Sequence, residues 1–160
     1  MSREITALHP TVQRMAHAMI SAVEARKTSL IVTCTLRTSA EQAALYAQGR
    51  QGLREVNILR AAAGMSAIDS ATNNRKVTNA KPGQSYHEYG LAFDVVPVEC
   101  GKLIWDQKHP AWSIIADAGK AAGLEWAGDW QTFKEYPHFQ WTGKMTLAQL
   151  QAGQRPAERN

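Results

Sequence analysis

The chain has 160 residues, of which 44% are apolar and 20% charged, a size and composition that predict one folded globular domain over residues 1–160. A formal net charge of +4 and a pI near 9.2 favour polyanionic surroundings such as nucleic acid, anionic lipid or an acidic cell-wall polymer. No block of five or more Lys or Arg residues, no RNA-binding aromatic signature and no apolar run of membrane-spanning length stands out, so we expect neither a nucleic-acid partner nor membrane insertion.

The N-terminal segment and the cysteines suggest a compartment. The first ten residues, MSREITALHP, place an acid and a histidine where a secretory signal has its apolar run, so we expect a cytoplasmic location unless something else releases the protein. Cys34 and Cys100 are far apart and lack CxxC spacing, which argues against a zinc knuckle or a redox pair. In a reducing compartment we expect buried free thiols, with a disulfide left open.

The first half of the chain contains three segments with apolar residues at helical spacing and one β-branched run. In chain order, these predict a helix over 6–27, a strand over 29–35 and helices over 40–48 and 53–63. Ser39, with Gln42 three residues later, matches a capping box that opens the second helix. Arg37 lies at the end of the strand, where loops often place a side chain that binds an oxyanion or a carboxylate.

The second half begins with a long polar segment. Residues 65–84 are rich in Ser, Asn, Asp, Lys and Gly, which predicts a surface loop. The later strands are predicted over 91–96, 124–126 and 138–141, with a turn or hairpin over 98–108. A helix is predicted over 110–122 and a helical turn or two over 146–151. The polar end over 153–160 is expected to be disordered. Short strands separated by helices favour the α+β class, with a small antiparallel sheet flanked by helices.

The segment VTNAKPGQSYHEYGLAFDVV, residues 77–96, contains a candidate metal site. Gly90 lies between His87 and Asp94 and can let the chain turn back, so that an imidazole and a carboxylate reach one point. Asp94 falls in a mostly apolar strand, where a buried carboxylate needs a cation, a metal or several N–H donors. His138 in the second motif-rich segment, residues 128–140, is the predicted third ligand.

Two histidines and one carboxylate can hold Zn²⁺ and leave one position for water, as catalytic zinc sites do. The same ligand types also suit non-haem Fe(II), although the spacing of His87 and Asp94 differs from that of the familiar facial triad. Hydrolysis also needs a carboxylate that takes a proton from water and returns it to the leaving amine. Glu135, three residues before His138, is the candidate base, and Asp129 is the alternative.

The ordered motif Ser85-x-His87-x-x-Gly90-x-Ala92-x-Asp94 followed by Glu135-x-x-His138 resembles a known family. It is similar to the zinc peptidases that include D-alanyl-D-alanine carboxypeptidases, the dipeptidases of vancomycin resistance and phage L-alanyl-D-glutamate endopeptidases. The flanking motifs Leu36-Arg37-Thr38, Gly128-Asp129-Trp130 and Pro137-His138-Phe139 extend the likeness over about residues 35–140. The likeness is strongest to phage endolysins, and to their bacterial relatives, that cut the bond between L-Ala and D-Glu.

The resemblance implies a fold shared with the hedgehog signalling domain, and it assigns roles to individual residues. It implies Zn²⁺ on His87, Asp94 and His138, with Glu135 as general base. Arg37 is implied to polarise the scissile carbonyl or to steady the oxyanion, while Ser85 and Gln42 belong around the ligands or in the substrate cleft. Many endolysin relatives have Asp where Glu135 stands, so the carboxylate of this chain is carried on one more methylene group.

The resemblance also implies a substrate and a setting. We expect a monomeric peptidase of peptidoglycan stem peptides that acts on the wall as a phage or prophage endolysin, after a holin-type release from the host cytoplasm. Two alternatives stay open within the same fold. One is a D,D- or L,D-carboxypeptidase of cell-wall peptides, and the other is a non-catalytic metal-containing module that binds the wall.

Overall fold

The computed structural model describes residues 1–159. Five strands form one antiparallel sheet in the order β1-β2-β5-β4, with the short β3 also paired to β2. The strands are β1 Ser29–Cys34, β2 Ala92–Glu99, β3 Lys102–Leu103, β4 Glu125–Trp126 and β5 His138–Gln140. The helices are α1 Pro10–Ala25, α2 Ser39–Ala47, α3 Leu53–Ala62, α4 Ser70–Asn73, α5 Pro110–Ala121 and α6 Leu147–Gln151, with 3₁₀ turns at Ile5–Ala7, Tyr86–Tyr89 and Ala127–Asp129. The predicted α+β class and antiparallel sheet are confirmed.

The two long helices begin in the same way. Pro10 and Pro110 each occupy the first turn, where the missing N–H is not needed, and each is preceded by a histidine cap. The ring of His9 accepts from the N–H of Thr11 at 3.3 Å, and the ring of His109 accepts from the N–H two residues later at the same distance. The predicted helix over 6–27 therefore begins at Pro10. Among residues 1–159, no helix combines the length and the apolarity that a bilayer crossing requires.

The alternation of β2 separates the core from the site. Leu91, Phe93 and Val95 point to the face covered by α1 and α5, where they join the main apolar cluster. Asp94 points to the opposite face, as the sequence predicts, and stays partly exposed. This second face is bordered by α2 and the segment 78–88, and it holds every predicted ligand.

The capping box of α2 differs from the prediction by one residue. Thr38 has an extended backbone and is the cap: its hydroxyl accepts from the N–H of Glu41 at 3.2 Å, and the Glu41 carboxylate accepts from the N–H of Thr38 at 2.8 Å. Ser39 is already the first helical residue, and its hydroxyl donates to Glu88 at 2.8 Å. The assignment of Ser39 and Gln42 to this box is wrong because Thr38 offers the same hydroxyl one residue earlier.

Two other segments are more structured than predicted. The long loop contains α4 and is held to α2 by side chains, since Gln48 donates to the carbonyl of Thr72 at 2.9 Å. The polar end, over residues 153–159, lies against α1: the N–H of Arg159 donates to the Thr11 hydroxyl at 2.9 Å, and Pro156 is buried. Residue 160, the last of the segment expected to be disordered, lies outside the described residues.

Candidate active site

The turn Tyr86–Tyr89 and strand β2 bring the first two predicted ligands together. His87 lies in this 3₁₀ turn, which ends at Gly90 with φ +68°, a left-handed conformation that favours glycine. A Cβ at Gly90 would also lie 3.2 Å from the backbone nitrogen of His9, so the position is crowded as well. The predicted turn-back between His87 and Asp94 is confirmed.

The third predicted ligand comes from the neighbouring strand. In the antiparallel pair of β2 and β5, Asp94 lies directly opposite His138, so their side chains stand side by side on one face. Nε2 of His87 lies 3.1 Å from Nδ1 of His138, and each of these nitrogens lies 3.2 Å from Oδ1 of Asp94. The three atoms form a nearly equilateral triangle.

This triangle fits a tetrahedral metal ion. Ligand atoms about 2.0–2.1 Å from one zinc ion are separated by about 3.3 Å, close to the distances between His87, Asp94 and His138. The set also matches zinc chemically, since it has two imidazoles and a carboxylate and leaves room for a further ligand. Both histidine side chains are nearly fully buried, at 2% and 9% exposure, so their orientations are fixed by packing.

The proton of His87 is fixed by a backbone carbonyl. Nδ1 of His87 lies 2.7 Å from the carbonyl oxygen of Thr35, which can only accept a hydrogen bond. Nδ1 therefore carries the proton, and the lone pair of Nε2 faces Asp94 and His138. Burial lowers the pKa of His87, so the neutral ring that a metal needs is favoured.

Cys34 lies behind His87 and was not predicted to belong to the site. Its thiol is 3.7 Å from Nδ1 of His87, and its sulfur lies within 4.8 Å of ligand atoms of His87 and Asp94. A register shift in β1 between Val32 and Cys34 pairs Cys34 with Asp94 and turns the thiol inward. Both cysteines are free, but Cys100 is exposed, so the expectation of a buried thiol is right for Cys34 only.

Arg37 approaches Asp94 from the side opposite the histidines. Its Nη2 lies 3.6 Å from Oδ2 of Asp94, and its Nη1 donates to Oε1 of Gln42 at 2.8 Å. The amide of Gln42 donates in turn to the carbonyl of Ala80 at 2.7 Å, which holds the guanidinium against the segment before His87. Nε of Arg37 is buried and has no hydrogen-bond partner among residues 1–159. One N–H donor of this cation is therefore not used within the described residues.

Glu135 lies beside the triangle, next to His138. Its Oε2 is 4.0 Å from Nδ1 of His138, and the side chain is 29% exposed. Burial raises the pKa of Glu135, and the nearby Asp94 acts in the same direction. The following residue, Tyr136, is wedged against Trp112 and Trp126 with ring centroids 5.8 and 5.2 Å away, which anchors the turn that presents Glu135.

The other predicted site residues lie farther out. Asp129 is exposed and forms an ion pair with Lys120 at 3.1 Å, so the structure places Glu135, rather than Asp129, beside the ligands. Ser85 is buried, and its N–H donates to the carboxylate of Glu88 at 3.3 Å. The same carboxylate accepts from the N–H of Gly83 at 2.8 Å, so Glu88 organises the loop in front of His87.

Two residues behind His138 were also missed. Oε1 of Gln140 lies 3.1 Å from Nε2 of His138, and Nε2 of Gln140 donates to the carboxylate of Glu125 at 2.9 Å. Gln140 is two residues after His138 on β5, so period-2 alternation was the signal that could have found it. Glu125 could not be found in this way, because its position depends on the pairing of β4 with β5.

Comparison with known proteins identifies a family. A family model described as D-alanyl-D-alanine carboxypeptidase matches residues 78–141, which include the three predicted ligands and Glu135. The chain is 33% identical over 141 residues to the peptidoglycan L-alanyl-D-glutamate endopeptidase CwlK of Bacillus subtilis (strain 168), a match that covers 83% of this chain and 72% of CwlK.

Solved structures extend the likeness to the whole fold. The L-Ala D-Glu endopeptidase ChiX of Serratia marcescens superimposes with a TM-score of 0.51 at 26% identity, covering 85% of this chain and 81% of ChiX. The LD-carboxypeptidase LdcB gives a TM-score of 0.56 at 16% identity, over 91% of this chain and 64% of LdcB. The D,D-pentapeptidase VanY, solved with Zn(II), gives 0.55 at 15% identity, over 91% and 78%. The last two comparisons speak for the fold alone.

Proposed function

The chain belongs to the D-alanyl-D-alanine carboxypeptidase family of peptidases. On this premise, we propose that it is a zinc-dependent endopeptidase of peptidoglycan stem peptides. The bond that it cuts is the one between L-Ala and D-Glu. The observation that carries the proposal is the triangle formed by Nε2 of His87, Oδ1 of Asp94 and Nδ1 of His138. CwlK and ChiX, which are 33% and 26% identical to this chain, are both described as L-Ala–D-Glu endopeptidases, which favours this bond.

The triangle supports zinc as the cofactor. His87, Asp94 and His138 would hold the ion through the three atoms that already face one another. When bound, zinc supplies Lewis acidity, which polarises a carbonyl and lowers the pKa of water. The carbonyl of Thr35 keeps the proton of His87 on the nitrogen that faces away from the ion, so the ligand set is prepared before the metal arrives.

Glu135 would transfer the proton. Its carboxylate lies 4.0 Å from Nδ1 of His138 and is partly exposed, so a water bound at the triangle would be within its reach. Because burial raises the pKa of Glu135, the ionised group is a better base than an exposed glutamate. It would accept a proton from the water and deliver it to the amine of D-Glu as the peptide bond breaks.

Arg37 would bind the developing negative charge. Two of its nitrogens are held by Gln42 and Asp94, which fixes the direction of the guanidinium. A donor that is oriented in advance stabilises an oxyanion without the cost of reorganising during the reaction. The burial of this cation strengthens the effect, since less water screens its charge.

We also propose that the enzyme acts as an endolysin of a phage or prophage, made in the host cytoplasm and released to the wall by a holin. The support is the likeness of the ordered motifs to phage endolysins, together with a net charge of +4, which suits an anionic wall. Expression with and without a holin tests this role. Lysis that needs both this enzyme and the holin supports the role. Lysis that occurs without the holin, or without the enzyme, contradicts it.

Purified protein with zinc, incubated with peptidoglycan, tests the activity. Mass spectrometry of the products should find glycan strands that retain L-Ala and free peptides that begin with D-Glu. Release of terminal D-Ala alone would mean a carboxypeptidase instead. Retention on the wall without any product, unchanged in a Glu135→Gln variant, would mean a non-catalytic binding module. The matched control is Asp129→Asn, which removes an exposed carboxylate of the same region.

A further inference from the structure

A chain of hydrogen bonds runs from the third predicted ligand to the edge strand of the sheet. His138, Gln140 and Glu125 are linked in this order, with distances of 3.1 Å and 2.9 Å. Glu125 lies directly opposite Gln140 in the pairing of β4 with β5, so the register of these two strands sets the contact. Gln140 is only 7% exposed, whereas Glu125 is exposed, so the chain leads from the buried ligand to solvent.

The donors and acceptors of this chain can be assigned from its outer end. An ionised carboxylate has no proton to give, so the Gln140 group that faces Glu125 must be the NH₂. The carbonyl oxygen of the same amide therefore faces His138 and can only accept. In the neutral ring, Nε2 of His138 then carries the proton, and the lone pair is on Nδ1, the atom that faces Asp94 and His87.

We propose that Gln140 and Glu125 are positioning residues that hold His138 in the Nε2–H tautomer, so that Nδ1 is free to bind the metal. This inference rests on the zinc site of the proposed function and adds two residues to it. Glu125 is needed because an amide presents similar shapes in its two orientations. With the NH₂ group turned toward His138, Gln140 would favour a proton on Nδ1 and block the ligand atom.

The two imidazoles are thus fixed by different devices. His87 is held by the backbone carbonyl of Thr35, which no side-chain substitution can remove. His138 is held by an amide whose direction depends on a second side chain. Zinc affinity should therefore be sensitive to substitution on the β4 side of the site even though Glu125 does not contact any predicted ligand itself.

The first test compares zinc affinities by competition with a chelator, without substrate. Gln140→Met keeps the shape of the side chain but removes the acceptor, and should weaken zinc binding by about 10–100-fold. Glu125→Ala leaves the amide free to turn and should weaken it by a smaller factor, about two- to tenfold. The matched control is Glu158→Ala, an exposed carboxylate on the same surface cavity as Glu125, which should bind zinc as the wild type does.

A double-mutant comparison separates orientation from charge. In Gln140→Glu, the new carboxylate accepts from His138 in either orientation, so Glu125 is no longer needed to direct it. Glu125→Ala should then have no weakening effect in the Gln140→Glu background, although it weakens binding in the Gln140 background. Equal weakening in both backgrounds would overturn the orienting role, because it would mean that Glu125 acts through its charge alone.

The tautomer itself can be read without metal. Long-range ¹H–¹⁵N spectra of the metal-free protein, at a pH where His138 is neutral, should find the proton on Nε2 in the wild type and a mixture in Gln140→Met. A wild-type proton on Nδ1, or unchanged zinc affinity in Gln140→Met, overturns the inference. Unfolding of the metal-free variants is the structural control. A loss of zinc affinity in a variant that is as stable as the wild type is not caused by a damaged fold. If the wild-type protein does not bind zinc, the proposed function is wrong. The tautomer of His138 in that protein would still test this inference separately.

Discussion

Asp94 lies directly opposite His138 across β2 and β5, and Oδ1 of Asp94 is 3.2 Å from Nδ1 of His138. The sheet register therefore builds half of the candidate metal site, and the turn that ends at Gly90 adds His87 to it. The carboxylate of Asp94 lies between the two imidazoles, and its other oxygen is 3.6 Å from the guanidinium of Arg37. Although burial favours the neutral acid, the two histidines hold the pKa of Asp94 well below its usual range.

Zinc should stabilise the folded protein through this triangle. A ligand that binds only the native state at about 100 times its dissociation constant adds about 2.7 kcal/mol to the free energy of unfolding. We expect this gain in thermal or urea unfolding of the wild type with zinc, and its loss on chelation. In Asp94→Ala the zinc-dependent gain should disappear, whereas the exposed control Asp117→Ala should keep it. A gain that survives in Asp94→Ala would place the ion elsewhere.

Glu135→Gln should remove activity and keep the metal. Loss of a general base lowers kcat by about 10²–10⁴-fold, and the amide has nearly the same shape as the carboxylate. Zinc content and affinity should match those of the wild type, as measured by chelator competition beside the peptidase assay. Asp129→Asn should change kcat little, since Asp129 pairs with Lys120 on the surface. The reverse order of the two variants would make Asp129 the base.

The stability of the metal-free protein should report the buried carboxylate of Glu135. Burial raises the pKa of Glu135 in the folded state above its unfolded value, so the fold favours the protonated form. This contribution is fully present at low pH and is lost as the pH rises through the raised pKa. Glu135→Gln should therefore match the wild type in acid and be the more stable protein at neutral pH. Unfolding curves of both proteins over about pH 4–8 check this, and a constant difference would contradict it.

The pH dependence of activity should follow the same group. A base works only when ionised, so kcat/KM should fall as the pH drops through the pKa of Glu135, which burial raises. In Glu135→Asp the carboxylate is retracted by one methylene but keeps its chemistry, so some activity and an acidic limb should remain. An acidic limb that is unchanged in Glu135→Gln would assign it to another group.

The parts of the site that are local in sequence were the predictable ones. The turn-back at Gly90 and the alternation of β2 were enough to place His87 and Asp94 at one point, because both depend on neighbouring residues. The capping box was misplaced by one residue, since Thr38 and Ser39 offer the same hydroxyl and only the backbone conformation separates them. The contacts of Cys34 and Glu125 depend on a register shift and on a strand pairing, which the order of residues does not specify.

Arg37→Lys should separate the charge of this residue from its geometry. The lysine keeps one positive charge but carries it on a single nitrogen, so it loses the planar fork that contacts Gln42 through Nη1 and Asp94 through Nη2. Removing an oriented donor to an oxyanion costs about 10²–10³-fold in kcat, and we expect a loss of this order with little change in zinc affinity. Steady-state kinetics and chelator competition measure the two effects. Arg26→Lys, on the exposed surface, is the control, and an equally active Arg37→Lys would mean that charge alone suffices.

Gly119 lets α5 lie close to the strand that holds His138. A Cβ at this position would lie 2.3 Å from Cε1 of Phe139 and 3.4 Å from Sδ of Met19, and both of these side chains are fully buried. Phe139 separates His138 from Gln140 on β5, so any shift of its ring moves the ligand and the residue that orients it. The absence of a Cβ at Gly119 thus leaves room for the ring of Phe139 on the core face of the sheet.

Gly119→Ala changes the free energy of unfolding in two opposite ways, through helix propensity and through packing. Alanine in a helix interior gains up to about 1 kcal/mol over glycine, whereas a methyl group forced into a packed core costs about 1–3 kcal/mol. Because Phe139 has no exposed surface into which to move, we expect packing to dominate, with a lower free energy of unfolding and weaker zinc binding in the same variant. Ser113→Ala, on the exposed side of α5, is the control and should lower neither quantity. A more stable Gly119→Ala protein with wild-type zinc affinity would show that β5 can move without disturbing His138.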